Sequence, residues 1–195
     1  SMGSFVTRKY ICDYGYELDG VIIMGTGHQP TPMVLAGKAL ADITRLIKGD
    51  RYRSRLISKI MFGAYNKHIK NVRTSNDWLT RDEAVVDEYN AGKLTTFLFT
   101  VNGYRGLMNM ILYVRKPRNI AKIPKNLPML MVSGLDDPVG EYGKGVYRAY
   151  NTYHGHIDDI DLRLFEDCRH ELCNELNKEE IYEEIYGWIM DHMNK

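Results

Sequence analysis

Pro128-Met129-Leu130-Met131-Val132-Ser133-Gly134-Leu135-Asp136-Asp137-Pro138 is a short apolar run that stops at a glycine and passes directly into a turn. An apolar stretch of this length without polar alternation suits a strand buried on both faces, the situation a parallel sheet creates. Asp-Pro directly after it is a turn signal. The same pattern occurs earlier, where Asp19-Gly20 leads into Val21-Ile22-Ile23-Met24 and Gly25-Thr26-Gly27 closes the run. A third stretch, residues 158–166, alternates Ile160, Leu162 and Leu164 with charges, which predicts a strand with one wetter face, near a sheet edge.

Around these runs the period becomes helical. Phe5, Val6, Tyr10 and Ile11 predict a helix over about 3–15, with Gly15 as its stop. Amphipathic helices are expected at 33–48 and 55–65, another starting at Trp78-Leu79-Thr80-Arg81-Asp82 and running towards Tyr89, and one or two within 95–113. Residues 141–154 form a further helix with Val146, Tyr147 and Tyr150 on one side. The last runs over 178–193, with Asn177 as cap, Glu180 at the capping-box position and an apolar stripe of Ile181, Ile185, Trp188 and Ile189. Strand and helix in alternation predict an α/β fold of parallel strands with crossover helices. The helical stretch interrupts that rhythm as an insertion. The expected organisation is therefore 1–33, a helix and the core strand after it; 34–115, a helical cap or lid; and 116–195, the C-terminal core.

A chain of 195 residues suits one domain or a large part of one, and 44% hydrophobic with 26% charged residues is ordinary globular composition. A net charge of +1 carries no nucleic-acid footprint and no general attraction to anionic membranes. No apolar run reaches the length of a transmembrane segment, and Arg8 and Lys9 fall where a secretory signal would be apolar. Three cysteines, Cys12, Cys168 and Cys173, are too few and odd for a disulfide framework and point to a reducing, cytoplasmic compartment.

Three segments carry candidate chemistry in the order Ser, Asp, His: Ser1-Met2-Gly3-Ser4-Phe5, then Asp136-Asp137, then Arg169-His170-Glu171. A serine hydroxyl becomes a useful nucleophile only beside a base, and histidine is the side chain whose pKa suits that exchange. Each has a plainer reading: Asp136 or Asp137 as a turn cap before Pro138, His170 as an ordinary loop histidine. His170-Glu171 begins like the zinc motif H-E-x-x-H, but Asn174 stands at its fifth position. His154 and His156 suit a solvated turn better than a metal, and Gly143-Lys144-Gly145 lacks phosphate-loop spacing. Cys168 or Cys173 as nucleophile is disfavoured because sequence neighbours of a catalytic base are rarely its nucleophile, and Ser1 using its own α-amine as base would leave Asp137 and His170 without a role.

The segment 127–175 resembles the monoacylglycerol lipase and lysophospholipase branch of the α/β-hydrolases, the serine aminopeptidase S33-like group. The matching stretches are Pro128 to Gly134, Asp137-Pro138-Val139-Gly140, Tyr142-Gly143-Lys144-Gly145-Val146, Arg169-His170-Glu171-Leu172 and Asn174-Glu175. Ser1-Met2-Gly3-Ser4-Phe5 is similar to the nucleophile elbow G-x-S-x-G of that group from its serine onward. The resemblance implies Ser1 as nucleophile, His170 as base and Asp137, three residues after the strand-ending glycine, as the acid that orients it. It implies an oxyanion donor in the Met2 backbone N–H and the second donor in an absent N-terminal third. The implied reaction is hydrolysis of a small acyl ester, a monoacylglycerol or lysophospholipid, with no cofactor and no metal. A proline-directed aminopeptidase and an inactive fragment that binds an apolar ligand are the alternatives. Phe97, Phe99, Leu107, Met108 and Met110 would line an acyl-chain wall, beside their plain reading as helix core. Arg105 or Lys116 would meet a phosphate head group, beside their reading as solvated charges. The open edge of Val21–Met24 is expected to pair with the N-terminal portion or a second chain.

Overall fold

A computed structural model of the chain describes residues 1–193. Helix α1 (Met2–Tyr14) leads through a short 3-10 turn into β1 (Val21–Met24). Five helices follow: α2 (Thr31–Lys48), α3 (Arg55–Phe62), α4 (Glu83–Ala91), α5 (Val101–Tyr113) and the single turn α6 (Pro117–Ile120). Then come β2 (Met129–Gly134), α7 (Lys144–His154), β3 (Ile160–Phe165) and α8 (Lys178–Met193). The three strands form one parallel sheet in the order β1-β2-β3, with Val21 opposite Met129 and Met129 opposite Ile160.

The central strand explains the apolar run that opens the sequence reading. Side chains alternate across a strand. Met129 and Met131 of β2 therefore pack with Ile11, Ile23 and Tyr153 beneath α1 and α7. Leu130 and Val132 face the other way, onto Cys168, Ile181 and Trp188 of the α8 side. Every residue of β2 is buried, so alternation would have been a defect there. β3 has no fully buried residue and lies at the sheet edge, as its alternation with charges predicts. β1 is the other edge, and among the described residues no strand pairs with its outer side. Beside it α1 exposes Met2, Val6, Tyr10 and Tyr14, spaced four residues apart on one stripe.

The helices between β1 and β2 join this core through α5. Phe5 of α1, Val34 of α2 and Leu107, Met108 and Ile111 of α5 form one buried cluster. Ala41, Ile57, Val101 and Tyr104 form the next, joining α2, α3 and α5.

Several element boundaries differ from the sequence reading. Residues 78–82 are not helical: Asp82 caps α4, its carboxylate accepting from the N–H groups of Ala84 (3.0 Å) and Val85 (3.4 Å). Thr100 likewise caps α5 by accepting from Gly103 N–H, so that helix begins well after residue 95. Helix α7 starts at Lys144 because Glu141, Tyr142 and Gly143 all have positive φ (51°, 56° and 83°), which no right-handed helix accommodates. Among the described residues no helix is long and apolar enough to cross a membrane.

Gly134 ends β2 where a Cβ would lie 2.0 Å from the Cys168 carbonyl oxygen and 2.3 Å from that of Arg169. Both are backbone atoms and cannot swing aside. Gly134→Ala is expected to cost at least about 3 kcal/mol, the upper end for an inserted methyl group in a packed interior, read as a drop in the urea midpoint at unchanged slope.

Candidate active site

The β2–β3 pairing continues past the strand ends. Leu135 N–H donates to Phe165 O (2.8 Å) and Asp136 N–H to Cys168 O (2.9 Å), so the loops after the two strands run side by side. That adjacency brings Asp137 and His170 together although 33 positions separate them. His170 Nδ1 lies 2.9 Å from Asp137 Oδ2, and both side chains are buried. A carboxylate only accepts, so Nδ1 carries the proton and Nε2 is left as the acceptor. Asp137 is held in turn: Val139 N–H donates to its Oδ1 at 2.8 Å, and Ser133 Oγ donates to its Oδ2 at 3.3 Å.

Ser1 lies at the head of α1, where its carbonyl accepts from Ser4 N–H (3.0 Å) and Ser4 Oγ (2.6 Å). Its backbone nitrogen sits against the carbonyl oxygens of Gly25 and Met24. Gly25 lies close to both Ser1 and the histidine. A Cβ there would lie 3.1 Å from both Ser1 N and His170 Cε1, and the residue has φ +59°. Only glycine meets both demands without strain. Met2 opens α1, where first-turn N–H groups have no partner within the helix and the helix dipole favours negative charge.

The segment before α4 closes over the histidine. Trp78 stacks obliquely on the His170 ring at 5.1 Å between centroids, and Tyr65 meets Trp78 edge-on at 4.8 Å. Enclosure and the negative charge of Asp137 hold the Tyr65 phenol well above its ordinary pKa. This segment is clamped to the histidine loop. The fully buried Glu175 carboxylate accepts from Arg169 N–H (2.8 Å), Arg81 N–H (3.2 Å) and Arg81 Nε (2.8 Å). Arg169 Nη1 donates back to the carbonyls of Asp77 (2.7 Å) and Thr80 (3.0 Å), and Glu171 N–H to that of Leu79 (2.7 Å).

On the other side, the loop after β1 is braced by three guanidinium groups. Gly27 O accepts from Arg8, His28 O from Arg148 and Gln29 O from Arg115. Gln29 Nε2 ties this loop to Val139 O (3.1 Å) beside Asp137. Burial, with Arg115, Arg8 and Arg148 around it, pushes the His28 imidazole down to about 4.

The other sequence candidates have their own surroundings. Leu107 and Met108 are buried in the cluster with Phe5 and Val34, and Met110 packs at its border. Phe97 is exposed and touches Phe99, whose ring meets Tyr104. Arg105 pairs with Asp42. His154 bonds Tyr150, and His156 bonds Ile123 O, so the two turn away to different partners. Among the described residues no three His, Cys, Asp or Glu side chains gather as metal ligands do. Trp78, Tyr65, Ser133 and Glu175 entered the sequence reading only as parts of elements or matching stretches, without a place around the histidine. Arg81 and Glu175 are 94 positions apart, beyond any local periodicity.

A protein-family model described as serine aminopeptidase, S33, matches residues 1–177. No curated protein matches the chain. Among solved structures, a thermostable carboxyl esterase from Bacillus coagulans superposes with a TM-score of 0.86 at 23% identity, over 100% of this chain and 62% of its own. A lipase in its open form gives 0.84 at 21% identity, over 98% of this chain and 63% of its own. A monoglyceride lipase from Saccharomyces cerevisiae gives 0.73 at 18% identity, over 98% and 63%. The chain therefore spans less than two thirds of each of these structures, and the likeness is one of fold.

Two measurements probe the clamps. Glu175→Ala leaves Arg81 and the Arg169 N–H without their buried acceptor and should cost about 3–5 kcal/mol, as removing one member of a buried pair does, measured by chemical denaturation. The folded state binds fewer protons than the unfolded chain between His28's lowered value of about 4 and its ordinary 6.5. Its contribution is thus present above pH 6.5 and lost as pH falls through that window. Thermal unfolding across pH 4 to 6.5 should show this slope, and His28→Gln should flatten it.

Proposed function

From the premise that the chain belongs to the serine aminopeptidase S33 family of α/β-hydrolases, we propose that it forms the catalytic part of a serine esterase. The observation that carries this reading is the buried Asp137–His170 pair at 2.9 Å, with His170 Cε1 and Ser1 N each 3.1 Å from the place where a Cβ on Gly25 would stand. In the proposed reaction the Ser1 hydroxyl gives its proton to His170 Nε2 as its oxygen attacks the ester carbonyl carbon. Asp137 holds the imidazole in the tautomer that can accept, and balances the imidazolium. The Met2 backbone N–H donates to the oxyanion from the start of α1. His170 returns the proton to the departing alcohol, and water then releases the acid from Ser1 by the same steps.

The substrate class we assign is a monoacylglycerol or lysophospholipid. The support is the fold shared with a lipase and a monoglyceride lipase, and the largely helical segment over 34–115 that would act as the cap. In this reading Phe97, Phe99, Leu107, Met108 and Met110 form the apolar wall of the cap. The Trp78 ring on His170 would help exclude water during acylation. The family's description as serine aminopeptidases favours a second reading, cleavage of prolyl amides by the same residues. The outer edge of β1 would take a further strand, from an N-terminal portion or a second chain, which would also supply the second oxyanion donor. Cys12, Cys168 and Cys173 are all free, which supports a cytoplasmic setting.

A fluorophosphonate probe should add once, at Ser1, by intact mass and peptide mapping; Ser1→Ala should abolish the adduct. Asp137→Asn, which leaves the wrong tautomer, should slow it by up to about 10⁴-fold. Probe reaction at Cys168, Cys173 or nowhere on a folded sample would sink the assignment. Turnover of a short-chain p-nitrophenyl ester over a prolyl amide would select the esterase reading.

A further inference from the structure

On the sheet face that carries α8, away from α1 and α7, a groove of about 350 Å³ runs between β3 and the helix. Its floor is apolar, formed by the buried Leu130, Val132 and Trp188. Carboxylates stand along it: Asp161 from β3, and Glu180, Glu183, Glu184 and Asp191 from α8. One guanidinium, that of Arg163, lies among them, 3.3 Å from Asp161 and 3.7 Å from Glu184. Among the described residues Glu183 and Asp191 pair with no cation. The imbalance is regional: residues 158–191 carry twelve Asp or Glu against three Lys or Arg, in a chain with 25 and 26. None of the groove's lining lies on β1, so a strand added at that edge would leave it open.

Helix α8 works against its own stability on this side. Glu179 and Glu183, and Glu180 and Glu184, repeat like charge at a spacing of four, which disfavours a helix. Asp191 lies in the last turn, where the helix dipole disfavours negative charge. Gly187 sits in the helix interior, where only proline is a poorer choice. A Cβ there would meet nothing within 4 Å, so no neighbouring group requires the glycine. At helical spacing Glu180, Glu184, Gly187 and Asp191 share one sector of about 60°, and the row from Glu180 to Asp191 is about 16 Å long. The missing side chain therefore opens the middle of the acidic row.

We infer that this groove is a binding site for a linear aliphatic polyamine. Its methylene segments would cover Leu130, Val132 and Trp188 while its ammonium groups stand at the carboxylates, as long cationic side chains do on apolar surface. The occupant would offset the like-charge repulsion along α8 and fill the space left at Gly187. A single metal ion fits poorly, because among the described residues no three His, Cys, Asp or Glu side chains converge as metal ligands do. A protein segment also fits poorly, because the volume is at the lower end of the ~300–1,000 Å³ of small-molecule sites.

The inference does not depend on the proposed reaction, since binding is read without turnover. The experiment is isothermal titration of the purified protein with spermine at low salt, beside Mg²⁺ and a penta-lysine peptide. One spermine should bind per chain and weaken as salt is added. It should bind about tenfold tighter than Mg²⁺, because it can make two more exposed ion pairs. Glu183→Gln with Asp191→Asn should weaken it by about tenfold for the same reason. Gly187→Leu should abolish binding yet raise the melting temperature, because leucine is a far better helix former. A variant that failed to fold would not show both. Mg²⁺ binding as tightly as spermine, or spermine affinity untouched by Gly187→Leu, would overturn the proposal, leaving only loosely held counterions. So would penta-lysine binding where spermine does not, because the groove would then suit a basic protein segment.

Discussion

Everything near Asp137 and His170 depends on how closely the backbone after β3 approaches the end of β2. The carbonyl oxygens of Cys168 and Arg169 occupy the space where Gly134 would carry a side chain. That approach lets the ladder continue beyond the strands, through Leu135 to Phe165 and Asp136 to Cys168. With the loops held in register, the carboxylate and the imidazole meet without either loop having to search for the other. In open parallel sheets the carboxyl ends of the strands are where sites form, because the loops emerge there together. This chain follows that rule with two adjacent strands.

Around the pair the structure uses buried polar anchors rather than more apolar packing. Glu175 receives donors from both the histidine loop and the segment before α4, so the aromatic cover of His170 is tied to the loop it covers. A carboxylate without exposure to water is stable only when its lone pairs are satisfied, and three N–H groups of Arg81 and Arg169 help to do that. On the other flank, three arginines spend their donors on three successive carbonyls of the loop after β1. That loop contacts Val139, two residues from Asp137. The geometry of the site is thus held from both sides by charged groups, Arg81, Arg169 and Glu175 in loops on one flank and Arg8, Arg115 and Arg148 on the other.

The helical segment between β1 and β2 has two surfaces. Its inner surface joins the core through Leu107 and Met108, which pack with Phe5 of α1, while α2 and α3 leave Ile43, Leu46, Ile47 and Leu56 exposed. Charge is sorted at the other end of the chain. The near-neutral total conceals the acidic excess of residues 158–191, because the basic residues that cancel it lie elsewhere in the chain.

The strands were legible in the chain, and so was their class, because burial on both faces writes itself as an uninterrupted apolar run: Val21–Met24 and Met129–Gly134. Asp137 and His170 were singled out by resemblance to a family that sets such residues after strand ends, and that the two side chains meet is what the fold adds. Helix starts were read less well. At residues 78–82 and 141–143, side-chain caps and left-handed backbone overrode apolar spacing that had pointed to helix. Trp78 against His170, Ser133 behind Asp137 and Glu175 beneath Arg81 had no signature, since each joins its partner through packing and hydrogen bonds made only after the strands pair. The sequence by itself determined which segments become strands and helices and in what order the polar groups follow, because those preferences act between near neighbours. Tertiary structure alone decided which groups meet, because a contact across 94 positions depends on the register of β2 with β3 and on the absence of a side chain at Gly134.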